Sequence, residues 1–283
     1  MRKAVYIQEK IAKILLILSV VLTLGALAAI VFHIFSHGIR EINLEFLLES
    51  PRDMGREGGV FPTIIGTFYV VLIAVAAAAP IGVFAALYLA EYSRLGMLVG
   101  VIRYAVNTLA AIPSIIFGLF GFTFLVIFLG LGWSVLSGGL TLAIMILPTI
   151  MRTTEEAIKT VPSDYREGSF ALGATKWQTI RYVVLPNALP GIITGVILGI
   201  GRSVGETAAV LLTAGSSLQV PVSIFDPART LSLHLYLLAF EGISFEKAYA
   251  TATVLMILVL MTNLLANFVI KKTVIKKTIV KSS

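Results

Sequence analysis

Residues 14–35 run for 22 positions without an Asp, Glu, Lys or Arg. As a helix this stretch is roughly 33 Å long, about the thickness of the hydrocarbon core of a bilayer. Comparable apolar runs return at about 62–90, 109–131, 139–152, 189–213 and 248–270. Inside a bilayer the backbone has no water to bond to, so each run has to satisfy its own amides as a helix. The expectation is an all-α, polytopic membrane protein with six transmembrane helices in one domain. The run at 139–152 is shorter than the roughly 20 residues of an ordinary span. It reaches that length only by borrowing from GLGWSVLSGG before it and RTTEEAIK after it.

Composition agrees with lipid as the main solvent. Charged residues make up 13% of the 283, and the mean hydropathy is +0.96. So few charges could not cover a water-facing surface. The net charge of +7 is accounted for by topology. With a cytoplasmic N-terminus, 16 of the 22 Lys and Arg residues fall in inner segments and five in outer ones, while Arg202 lies within the fifth run. That bias orients the chain, and two basic tails require an even number of spans. Both termini are therefore expected in the cytoplasm of a cell with this chain in its inner membrane. No charge excess is left over to suggest nucleic acid. Ala26-Leu27-Ala28 has the form of a signal-peptide cleavage site, but the apolar run continues through AIVFHIF and is read as a retained span. There is no cysteine, so thiolate metal chemistry and disulfides are excluded.

One inner segment, about 153–188, is polar and contains REGSFALGATKWQTIRYVVLP, residues 166–186. Asp164-x-x-Glu167 has the form of a capping box, predicting a helix over 165–172 with Gly173 as its left-handed end. Thr175-x-x-Gln178 predicts a second box and a second helix, with Pro186 as its stop. Tyr165, Phe170 and Trp177 are aromatic anchors of the kind that fill a socket on another protein.

The spacing resembles the EAA loop of ABC importer membrane subunits. Glu167, Gly168 and Ser169 are followed after three residues by Gly173, and after nine more by Val183-Val184-Leu185-Pro186. Gly and Ser stand where that motif has two alanines. From about 61 to 267 the runs FPTIIGT, AAIPSIIFGLFG, LPTIMRTTEEAIKTVP and GRSVGETAAVLLTAG resemble the permease of phosphate importers, of the PstA type. The resemblance implies a MetI-like core and a heterodimer with a paralogous permease. It also implies two ATP-binding subunits that carry the ATP-Mg, and an extracytoplasmic phosphate-binding protein. Tyr165, Glu167, Gly168, Ser169, Phe170, Gly173, Trp177, Leu185 and Pro186 would then be the ATPase-coupling residues. The chain has no G-x-x-x-x-G-K-[ST], so it is expected to be non-catalytic and to bind no cofactor itself.

The fifth run holds Arg202 and Glu206 at i and i+4, one face of a helix, where they are expected to pair. Charges placed within a membrane are costly and usually face a substrate path. Arg202 could offer its planar fork to phosphate oxygens, with Glu206 keeping the anion from binding too firmly. The bland reading is an ion pair stapling two helices. Gly195/Gly199 and Gly201/Gly205 have the G-x-x-x-G spacing of close helix approach, which is mainly a packing statement. Ala111-Ile112-Pro113-Ser114 should kink the third span; Ser114 could donate to an anion there, or satisfy backbone. His33 and His37 have a metal-compatible spacing but no third ligand, so no metal is expected. His234 has no nucleophile near it in sequence. The alternatives are a permease for another oxyanion or small solute, and a self-contained channel or secondary transporter.

Overall fold

The computed structural model describes residues 2–93 and 96–282, and Arg94 of the charge count lies outside them. The side chains of Arg2, Lys3 and the lysines after residue 270 also lie outside the described ones.

The chain begins with the long helix α1 (Arg2–Gly38). Next come a short helix α2 (Leu44–Leu48), capped by the Asn43 side chain, and a small hairpin of β1 (Pro51–Arg52) and β2 (Glu57–Gly58). Helix α3 (Phe61–Leu87) starts with Pro62 in its first turn, where a missing N–H costs nothing. It runs on as a wider π turn over Tyr88–Tyr92. Then follow α4 (Met97–Ala111), α5 (Ser114–Gly121) and α6 (Val135–Lys159). The inner insert folds as α7 (Ser163–Ala171) and α8 (Lys176–Thr179), leading into α9 (Leu185–Val204) and α10 (Ala208–Thr213). Helices α11 (Leu231–Phe240) and α12 (Phe245–Ser282) complete the chain.

Five helices among the described residues are long and apolar enough to cross a membrane. The bent pair α4 and α5, with its π extension, turns by 102° at Ile112-Pro113 and makes a sixth crossing where its two halves count as one broken span, the alternative being a re-entrant loop. Five of the six expected spans are thus present as single helices, and the third is the bent pair. Two differ in extent from the sequence reading. The fourth, expected over 139–152, extends over 135–159 because Ser134 caps it four residues earlier and Glu155 is neutralised near its far end. The fifth breaks at 205–207 rather than continuing to 213.

Helix α6 is the centre of the body. Leu142, Met145, Ile146 and Ile150 are fully buried between α3, α5 and α9. Glycines let the neighbours close in: a Cβ on Gly82 would press on Ile150, one on Gly195 on Thr153, and one on Gly199 on Ile150. The 195/199 spacing therefore packs α9 on α6 inside this chain, while Gly201 meets nothing within 4 Å. Among the described side chains, helix α1 is exposed along nearly its whole length and meets the body near Gly38, against Tyr249 and Thr253 of α12. His33 and His37 lie there beside Tyr249, with ring centroids 4.3 Å apart from each other.

A layer of α2, the hairpin and α11 covers one end of the bundle. His234 of α11 is buried against Gly55 of the hairpin tip, with Arg229 Nη1 3.4 Å from its Nδ1. Burial first, and Arg229 second, push its imidazole down from 6.5 to about 3.

Candidate functional site

The polar insert between spans four and five is a helix–turn–helix built as its residue types require, with two departures from expectation. The Asp164/Glu167 capping box does not form. Pro162, with its fixed φ, opens the helix, so Ser163 is the first helical residue and Asp164 falls inside the first turn. There its carboxylate complements the helix dipole without serving as the cap. Gly173 takes φ +81° and ends α7 in a Schellman turn, Ala174 N–H bonding Ser169 C=O at 3.2 Å and Gly173 N–H bonding Phe170 C=O at 2.9 Å. The second box does form: Thr175 Oγ1 accepts from Gln178 N–H at 3.3 Å, and Gln178 Oε1 from Thr175 N–H at 2.8 Å. Pro186 does not stop this helix. A π turn over Ile180–Val184 shifts the hydrogen-bond ladder, and Pro186 sits in the first turn of α9, so helix continues from Lys176 to Val204.

The predicted coupling residues divide into two sets. Glu167, Gly168, Gly173 and the aromatic side chains Tyr165, Phe170 and Trp177 are exposed, and Leu172 is 90% exposed beside them. A Cβ on Gly168 or Gly173 would meet nothing within 4 Å, so this face is open and flat. Leu185 instead packs into the apolar cluster of Leu87, Ile158, Ile180 and Val184, and Pro186 is half-buried beside it; both join the loop to the body. Ser169 links the two short helices through a 2.9 Å bond to Thr179.

A residue the motif did not single out holds the loop in place. Arg166 donates from Nε and Nη2 to Glu91 Oε1, at 3.0 and 2.7 Å, across to the end of α3. It also donates to the carbonyls of Val161 (2.6 Å) and Ile158 (3.0 Å) at the end of α6. The Glu91 side chain is only 10% exposed, and removing one partner of a pair so buried costs about 3–5 kcal/mol. The sequence signal was a lone acidic residue in YLAEY at the inner end of an apolar run, which needed a cation from somewhere.

Within the spans, the two helix breaks come together. Helix α5 runs parallel to α10: a Cβ on Gly118 would lie 2.9 Å from Ala209 Cα, and one on Gly121 2.8 Å from Thr213 Cγ2. The amino end of α5 at Ser114 therefore lies at the level of the 205–207 break. Arg202 and Glu206 do not form the expected pair. Because α9 ends at Val204, the helical i, i+4 geometry is lost, and Glu206 Oε1 accepts from Ala209 N–H at 3.3 Å, capping α10. The Glu206 carbonyl accepts from Ser232 at 2.7 Å, tying the break to α11. Arg202, half-buried one turn before the break, forms none of the ion pairs among the described residues.

A bent third span, a broken fifth span and a capped helix–turn–helix between spans four and five define the membrane subunit of an ABC importer. Residues 78–274 match the family described as "Binding-protein-dependent transport system inner membrane component", and the chain belongs to that family. Among its relatives are two phosphate transport system permease proteins named PstA. That of Pasteurella multocida (strain Pm70) is 34% identical over 263 residues, 91% of this chain and 92% of its own. That of Mycobacterium leprae (strain TN) is 35% identical over 251 residues, 88% and 79% of the two chains. The "Probable ABC transporter permease protein YqgI" of Bacillus subtilis (strain 168) is 33% identical over 258 residues, 84% of this chain and 88% of its own. The PstA-type resemblance drawn from the motifs is borne out. In fold, the chain matches a bacterial alginate ABC transporter structure with a TM-score of 0.68 at 15% identity, over 92% of this chain and 94% of that one. It also matches a MetNI methionine ABC transporter structure with a TM-score of 0.59 at 23% identity, over 76% of this chain and 94% of that one, and the MetI-like, mostly helical architecture follows.

Proposed function

We propose that this permease subunit forms part of the path for inorganic phosphate and is driven by a separate ATPase seated on α7 and α8. The observation that carries the cargo reading is Arg202, a cation within a span, in none of the ion pairs among the described residues and one turn before the break at 205–207. Discontinuous helices at mid-membrane commonly present their amino ends and freed backbone to an anionic cargo. Here the amino end of α5 adds a favourable dipole and the Ser114 hydroxyl a donor, while Arg202 supplies the charge-assisted fork. Glu206 is spent on α10, so it tempers the field at the site without neutralising Arg202, and the anion can leave as well as enter. The names of the PstA relatives support phosphate over other oxyanions.

The coupling reading is supported by the exposed aromatic face at the end of the loop and the missing P-loop. The partners that complete the reading are a paralogous permease, two ATP-binding subunits and an extracytoplasmic phosphate-binding protein, with both termini of this chain in the cytoplasm. The test is binding-protein-dependent uptake of labelled phosphate, with sulfate as competitor, by the assembled transporter. Arg202→Met lowers uptake roughly a hundredfold at matched protein level, the size expected when a bidentate anion contact is lost. Uptake at the unsubstituted rate, or equal competition by sulfate, defeats the reading.

A further inference from the structure

We propose that Arg166 and Glu91 are the link through which a push on the cytoplasmic loop reaches the second span. The inference rests on the coupling reading above and deepens it. Helix α7 buries none of its residues, so apolar packing gives it little grip on the body. The Arg166 side chain leaves the exposed face, is 21% exposed, and reaches the ends of α3 and α6 at once. Its Nε and Nη2 hold Glu91 on the inner end of α3, while Nη1 and Nη2 hold the Val161 and Ile158 carbonyls beyond and within α6. A guanidinium is planar and its donors are fixed relative to one another, so a rotation of α7 is passed on as a rotation of its acceptors. The chain itself carries motion into α6 on one side and, through α8, into α9 on the other, but not into α3. Without Arg166, α3 has no comparable tie to α7.

The far side of the link is built to yield. Glu91 lies in the π turn over Tyr88–Tyr92, a widened stretch of the kind found where helices carry function. Lys176 of α8 stands over the Tyr92 ring, 4.9 Å from its centre, so both short helices of the loop bear on this one turn. Arg166 is thus a positioning residue: it touches neither cargo nor nucleotide, and ties the nucleotide-driven element to the span that moves.

The chain has no cysteine, so Tyr88→Cys, at an exposed position in the turn, gives a single reporter once the partner chains are freed of theirs. The assembled transporter carrying it is labelled with a thiol reagent, with and without ATP plus vanadate. In the unsubstituted link the two labelling rates differ by roughly fivefold or more, the lower end of ordinary couplings. Arg166→Glu and Glu91→Arg each leave the ATPase co-purifying but bring the ratio of rates towards one. Combining them raises the ratio above that of either alone. Arg166→Lys, which keeps the charge without the fork, gives an intermediate ratio and serves where the reversals do not accumulate. A full ratio in any single variant, or a double reversal no better than either single, overturns the link. If instead Gly173→Arg leaves the ATPase bound, the seating of the ATPase on this loop is what fails.

Discussion

His234 keeps its ring neutral inside the layer of α11 and the hairpin, since burial and Arg229 both oppose its protonation. The unfolded chain protonates near 6.5, the folded chain near 3, so the stability this residue supports is complete above 6.5 and is lost as pH falls towards 3. Between pH 7.5 and 5.5 the loss amounts to about 1.4 kcal/mol. Thermal unfolding of the purified protein should show that acid sensitivity, and His234→Gln should remove most of it; an equal shift in both proteins would exclude His234 as its source. Sequence alone gave this histidine no partner, because Arg229 and Gly55 reach it through tertiary packing. Arg202 and Glu206 show the complementary limit. Their types and mid-membrane position were legible, but their pairing was inferred from helical periodicity. The break at Gly205 removed that periodicity, and one glycine among several in an apolar run does not announce which of them ends the helix.

At the scale of elements, the polar loop between spans four and five was legible where local chemistry decides and illegible where two signals compete. Gly173 and the Thr175/Gln178 box are local, and both formed. Asp164 lost the cap to Pro162, two residues ahead, and Pro186 opened a helix because a π turn preceded it. The loop's exposed face makes a direct prediction. Gly173→Arg puts a non-glycine residue at φ +81°, a strain of about 1–2 kcal/mol, in a place with open space around it. The protein should accumulate normally yet fail to co-purify with its ATPase, whereas Gly173→Ala, with the strain but not the bulk, should retain much of it. Equal retention by both would show that the turn does not face the ATPase.

For the whole molecule, the number of spans followed from the apolar runs, but their shapes did not. The 102° bend of the third span and the parallel seating of α5 on α10 depend on which glycines meet which neighbours, and no run of hydropathy records that. The orientation drawn from the basic residues can be tested on this cysteine-free chain. A single cysteine at Leu172 should be shielded from an impermeant thiol reagent in intact cells and labelled in inverted vesicles. One at Val222, which is 93% exposed in the segment after span five, should behave in the opposite way. Labelling of both from the same side would refute the crossing of span five between them.

Among the described residues, helix α1 rests on the body beside Tyr249 and Thr253. It is therefore an outrigger, moored to the rest of the hull at a single point. The bundle can rock around α6 while α1 keeps its own depth and tilt in the lipid. Motion at the break beside Arg202 need not drag the first span along.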